Sequence, residues 1–204
     1  MLITSIRQSS PGRLILSFED GSELRSSLGV VTDMRLCSGR ELDAEELEEL
    51  RLCSAQALAR EKALEYLSRR PMSAKELKTK LILKGQDEAI ADHCVRWLSD
   101  RQLIDDESYA ASLTRHYAAR GYGPGRIRAE LSRRGIDREL WDGALEQLPE
   151  NNDKMDRFIA ARLKDPEDRE QLRKISAALY RRGYSWEDIR AGLERFRACC
   201  PDEY

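Results

Sequence analysis

The segment Ile127-Arg128-Ala129-Glu130-Leu131-Ser132-Arg133-Arg134-Gly135-Ile136-Asp137-Arg138-Glu139-Leu140-Trp141 holds an apolar pair, a glycine and a capping residue in close succession. Ile127 and Leu131 lie four apart and share one helix face. Gly135 stands where the chain leaves that helix, commonly through a left-handed residue, a conformation that costs a β-carbon carrier about 1 kcal/mol or more. Asp137 is a good N-cap, and Trp141, Leu145 and Leu148 follow at helical spacing. The segment therefore reads as helix, tight glycine turn, helix.

The same template occurs twice more. Gly85 stands 50 residues before Gly135 and Gly183 stands 48 residues after it. Each is preceded, at the same two offsets, by an apolar pair: Leu77 and Leu81 in the first copy, Ile175 and Leu179 in the third. Asp87 and Ser185 take the capping position, and Ala91, Val95 and Leu98, or Ile189, Leu193 and Phe196, supply the following face. Self-similarity at a fixed period is the signature of a repeat architecture.

A further helix precedes each pair: Gln56 to Arg70, about Asp105 to Arg120, and about Asn152 to Leu163. Pro71 before a Ser73-x-x-Glu76 capping box, Gly123-Pro124 and Asp165-Pro166 punctuate the joins. Each unit is thus a three-helix bundle of about 50 residues, too small to be comfortable alone and expected to lean on its neighbours. Ahead of the repeats, Leu2 to Arg7 and Arg13 to Glu19 flank a Ser9-Ser10-Pro11-Gly12 turn, and Asp20-Gly21 leads into Glu23 to Ser27. This small meander should pack on the helix formed by Asp43 to Leu52. The predicted fold is mainly α: tandem three-helix bundles in an elongated array with an N-terminal β extension. Its divisions are 1–40 for the extension, 41–56 for an acidic connecting helix, and 57–104, 105–150 and 151–204 for the repeats.

Composition narrows the functional classes. Of 204 residues 35% are charged and 41% hydrophobic, a balance that fills helix stripes and leaves solvated faces between them. Neither a run of about 18 apolar residues nor a signal-like start after Met1 is present, so a cytoplasmic protein with no membrane association is expected. Five scattered cysteines, Cys37, Cys53, Cys94, Cys199 and Cys200, argue against a disulfide framework and a structural zinc site. The net charge of −2 is a poor signature for binding naked DNA. Charge is nevertheless lopsided. Between Leu113 and Arg138 the cations are Arg115, Arg120, Arg126, Arg128, Arg133, Arg134 and Arg138, opposed by Glu130 and Asp137, whereas Glu41 to Glu49 is strongly acidic.

The middle unit read in full is more specific. Leu103-Ile104-Asp105-Asp106-Glu107-Ser108-Tyr109-Ala110 precedes Arg120-Gly121-Tyr122-Gly123-Pro124-Gly125-Arg126-Ile127-Arg128-Ala129-Glu130-Leu131. This order and spacing resembles the RecX family, bacterial regulators of the RecA recombinase. Tyr66-Leu67-Ser68-Arg69-Arg70-Pro71-Met72-Ser73 and Leu179-Tyr180-Arg181-Arg182-Gly183-Tyr184-Ser185 extend the resemblance over roughly Ala57 to Phe196. The β extension looks similar to that of some longer members. The third unit departs most, since Lys164-Asp165-Pro166-Glu167 replaces the Gly-Tyr-Gly-Pro turn, and its second helix is expected to start earlier. The resemblance implies a protein that lies in the groove of the RecA filament on single-stranded DNA and modulates its ATPase, strand exchange and SOS activity. Inhibition is the expected direction, and a monomer without cofactor or metal the expected form.

The residues expected to touch that partner are basic. Arg126 and Arg128 flank Ile127 on the second helix of the middle unit, Arg133 and Arg134 extend the surface, and Arg115 and Arg120 approach from the preceding helix. Guanidinium groups suit carboxylates and phosphates through paired parallel bonds. Lys75, Lys78, Lys80 and Lys84 occupy the equivalent helix of the first unit, and Tyr122 in the glycine turn is a candidate for stacking. Asp105 reads as a helix cap in preference to half of an acid-base pair, and His93 and His116 lack ligand-spaced neighbours. No catalytic constellation can be assembled. The competing readings are a helix-turn-helix-like DNA-binding repressor and a helical scaffold for an unrelated protein.

Overall fold

Residues 3–27 form a meander because apolar side chains alternate between turns. β1 (Ile3–Ser10), β2 (Arg13–Phe18) and β3 (Glu23–Ser27) pair antiparallel in the order 1-2-3. In this computed structural model, which describes residues 1–146 and 153–199, Ile3, Leu16 and Phe18 point to one side and join Val31, Leu36, Leu42 and Leu50 in a buried cluster. The chain divides into two compact units. One comprises Met1–Pro71 with Glu76–Ile104, the other Met72–Lys75 with Asp105–Tyr204.

In the first unit a short helix, α1 (Leu28–Asp33), follows the sheet, and the Val30 amide donates to the Ser27 hydroxyl at its start. α2 (Ala44–Arg69) is one continuous helix of 26 residues opened by an Asp43–Glu46 capping box. The sequence reading placed an acidic helix and the first repeat helix here as two elements. They are fused because neither glycine nor proline interrupts Ala44 to Arg69. The N-terminal half of α2 covers the sheet through Leu50 and through Ser54, whose hydroxyl donates to buried Ser26 at 2.8 Å. Its C-terminal half, with Ala59, Ala63 and Tyr66 buried, is the first helix of repeat one beside α3 (Ala74–Leu83) and α4 (Glu88–Asp100). Leu77, Leu81, Ala91, Cys94 and Leu98 complete that interior.

The second unit contains α5 (Asp106–Ala119), α6 (Pro124–Arg133) and α7 (Glu139–Glu146), then α8 (Asp153–Ala160), α9 (Arg169–Arg181) and α10 (Trp186–Cys199). Ala110, Ile127, Leu131, Ile136 and Ala144 form one core; Met155, Ile159, Leu163, Ile175, Leu179 and Ile189 form the next. The template glycines Gly85, Gly135 and Gly183 have φ of +87°, +70° and +89°. Each closes its helix with the same pair of bonds: in the third, the Tyr184 amide donates to the Leu179 carbonyl and the Gly183 amide to that of Tyr180. As the departure from the turn motif suggested, α9 begins earlier relative to its glycine than α3 and α6 do, with Asp168 accepting from the Glu170 and Gln171 amides as cap. Leu148, Asn152 and Cys200 lie outside the described residues. Among the described residues no helix is long and apolar enough to cross a membrane.

Candidate partner-binding surface

The surface starts from the turn that launches α6. Gly121 ends α5 with φ +77°, Gly123 is the N-cap of α6, and Pro124 occupies the first turn, where a missing N–H costs nothing. With Ile127 and Leu131 buried, Arg126 and Arg128 are left exposed on the flanks of α6. Arg115 and Arg120, at the end of α5, are exposed as well. No carboxylate among the described residues pairs with Arg115, Arg120 or Arg126. Arg120 lies 3.5 Å from a ring nitrogen of His116, and Arg128 approaches exposed Asp142 only to 3.9 Å.

Arg133 and Arg134 are placed differently from the outward extension that the sequence suggested. Both converge on Glu130, which is only 4% exposed. Arg133 grips both carboxylate oxygens, at 2.5 and 2.9 Å, while Arg134 donates from Nε at 2.9 Å and from its terminus to the Tyr109 hydroxyl at 3.2 Å. Arg133 first, and Arg134 with it, holds the Glu130 carboxyl down at about 2 against the penalty of burial. The Arg134 side chain is 24% exposed, so it is a partner of Glu130 and Tyr109, whereas Arg133, at 66%, still offers an edge to solvent.

The lysines in and just after α3 do not form a uniform stripe. Lys78 is clamped between Glu88 at 3.0 Å and Asp92 at 2.8 Å, which raises its pKa through those bonds. Lys80 rests 4.0 Å above the Tyr66 ring. Lys84 is exposed and lines a cleft of about 290 Å³ with Arg13, Arg25 and Lys62. Lys75, in the second unit, has its methylenes against Gly135. Tyr122 is half-buried, its ring 5.5 Å from that of Tyr117.

The acidic pair divides its work. Asp105 caps α5 by accepting from the Ser108 amide at 2.9 Å, and its pKa is lowered by that bond. Asp106 accepts from the Ala74 amide at 2.9 Å, yet burial pushes its pKa up. Ser73 donates to the Arg134 carbonyl. Among the described residues no group of three His, Cys, Asp or Glu side chains could hold a metal ion.

Two features escaped the sequence reading. The Gly123 amide donates to the Arg182 carbonyl at 2.8 Å and the Gly125 amide to the Gly183 carbonyl at 2.9 Å, so the turn before α6 is bonded to the turn before α10. A β-carbon on Gly123 would lie 2.6 Å from the Gly183 carbonyl group, and one on Gly183 would lie 2.2 Å from the Arg126 nitrogen. The second feature is an exposed aromatic pair, Tyr180 and Trp186. The repeat register marks it, because Trp186 falls outside the apolar offsets that follow the cap.

Comparison with known proteins agrees with this architecture. Models of the RecX first, second and third three-helix domains match residues 59–98, 105–145 and 160–193. The regulatory protein RecX of Xanthomonas axonopodis pv. citri (strain 306) is 37% identical over 134 residues, covering 64% of this chain and 83% of that one. That of Vibrio campbellii (strain ATCC BAA-1116) is 31% identical over 139 residues, 66% and 89% of the two chains. A crystal structure of regulatory protein RecX superposes with a TM-score of 0.71 at 26% identity, covering 97% of this chain and 98% of the other. RecX from Lactobacillus salivarius gives a TM-score of 0.64 at 26% identity over 71% and 97%.

Proposed function

Because the chain belongs to the RecX family of regulatory proteins, we propose that it binds the filament formed by the RecA recombinase on single-stranded DNA and restrains ATP hydrolysis and strand exchange there. The observation that carries this reading is the set of exposed arginines on α5 and α6: Arg115, Arg120 and Arg126 have no carboxylate partner among the described residues, and Arg128 has only a long 3.9 Å pair with exposed Asp142. An arginine already locked in an internal pair must break it to bind elsewhere. Three of these have none to break and Arg128 has only an exposed, long one, and a guanidinium fits either a carboxylate of a protein partner or a phosphate of its DNA. Arg133 adds to the same face through its exposed edge, and Tyr122 and Arg134 act by holding the turn and helix in place. Exposed Lys75 in the first turn of α3 and exposed Lys84 just past its end are further candidate contacts. The protein acts in the cytoplasm as a monomer, through binding and without a chemical step of its own, and so tempers recombinational repair and the SOS response.

The test is RecA-catalysed ATP hydrolysis on single-stranded DNA. Protein added in stoichiometric amount is expected to slow hydrolysis. Unchanged hydrolysis together with unchanged filament stability would refute the proposal.

A further inference from the structure

Tyr180 and Trp186 are 55% and 58% exposed, and their rings stack with centroids 5.2 Å apart and planes 21° from parallel. Two large rings left side by side in water form a small contiguous apolar patch whose stacked faces are open to a ligand. The glycine turn builds the pair: Tyr180 ends the last full turn of α9, Trp186 opens α10, and the left-handed Gly183 reverses the chain between them. The corresponding positions are Ile82 and Glu88 in the first repeat and Ser132 and Arg138 in the second, so the third repeat alone carries rings at both. Neither ring belongs to the cluster that fills the third repeat. Its core does not need them.

Each ring also borders a cleft. Tyr180 lines one of about 600 Å³ with Pro124, Gly125, Arg128, Tyr184 and Asp188. Trp186 lines another of about 310 Å³ that includes Arg190, Arg197 and Glu194. Asp188 is engaged as a cap, accepting from the Ser185 amide at 3.1 Å and hydroxyl at 2.7 Å. The rings thus lie between guanidinium groups, Arg128 on one side and Arg190 on the other.

We propose that the Tyr180–Trp186 pair is a stacking platform for the bases of a single strand of nucleic acid, with Arg128 and Arg190 taking the flanking phosphates. Bases present π faces of any sequence to such a platform, and arginines beside aromatic rings are the combination that holds single strands without sequence preference. A duplex keeps its bases stacked inside and offers them to no external ring. The binding belongs to the protein alone, without RecA, and stands or falls separately from the filament reading.

The experiment is fluorescence anisotropy of a labelled oligothymidylate titrated with the full chain, against an abasic oligomer of the same length. Replacing both rings, Tyr180→Ala with Trp186→Ala, is expected to weaken oligothymidylate binding about tenfold or more. Tyr180→Phe with Trp186→Phe, which keeps two aromatic faces, should bind much more tightly than the alanine variant and close to the parent. The abasic oligomer should bind weakly and equally to all three. Far-UV circular dichroism checks that the helices persist. The proposal is overturned if the alanine variant binds oligothymidylate like the parent, if the parent holds the abasic strand as tightly, or if the parent shows no binding. Each of those results makes the pair a surface for something other than bases.

Discussion

Gly183→Ala tests how the second and third repeats are joined. Its φ of +89° is left-handed, which costs a β-carbon carrier about 1–2 kcal/mol by itself. The new carbon would stand 2.2 Å from the backbone nitrogen of Arg126, an atom that cannot rotate away as a side chain would. The chain must therefore part at this point, straining the bonds from Gly123 to Arg182 and from Gly125 to Gly183. Each is worth about 1 kcal/mol net, so the whole change should cost about 3 kcal/mol or more. Gly85→Ala is the control, since its φ is +87° but nothing lies within 4 Å of the added carbon. It should lose only the conformational penalty of about 1–2 kcal/mol. Urea unfolding gives both losses, and hydrogen exchange at the Gly123 and Gly125 amides should rise in the Gly183 variant and not in the other. Equal losses, or unchanged exchange at those two amides, would refute the reasoning.

Two further predictions rest on titratable groups. The Glu130 carboxyl, held at about 2 where 4.5 is ordinary, is ionised more readily in the folded state. Its stabilisation is fully present above the unfolded value and fades as pH falls through the folded one, amounting to about 2–3 kcal/mol after allowance for the exposed Arg133. Urea midpoints at neutral and acid pH should converge for the parent and Glu130→Gln as pH falls; a constant gap contradicts the ion-pair account. The Cys94 thiol is buried and pushed up to about 11, mainly by desolvation, while Cys37 is exposed. Only thiolates alkylate readily, so peptide-mapped iodoacetamide labelling should find Cys37 modified and Cys94 protected until the chain unfolds. Similar labelling of the two would contradict the packing of α4.

The repeat was legible because its evidence is local. A glycine, a cap two residues later and apolar positions at helical spacing suffice to place α3–α4, α6–α7 and α9–α10, and alternation with Asp20-Gly21 sufficed for the meander. The fusion into α2 is not announced by composition: the strongly acidic run Glu41 to Glu49 resembles an element of its own beside the first repeat, whereas only a helix breaker ends a helix. α1 left too short a signal: six residues behind Ser27. The seam between Gly123 and Gly183 joins positions far apart in sequence, and nothing local announces it. Glu130 was closer to hand. Its spacing to Arg133 and Arg134, three and four along one helix, is that of an ion pair, so two of the candidate arginines could have been assigned to it. Trp186 likewise stands apart from the apolar offsets of its own repeat.

Filament binding, as proposed, depends on the exposed cations of α6, and Arg126→Glu with Arg128→Glu addresses them directly. Both side chains are exposed, so the variant should fold, and its affinity for RecA filaments on single-stranded DNA can be measured by cosedimentation beside the parent. Reversing two charges at a desolvated contact should weaken binding by at least about tenfold, roughly 1.4 kcal/mol. Affinity equal to that of the parent would remove this face from the contact and contradict the account.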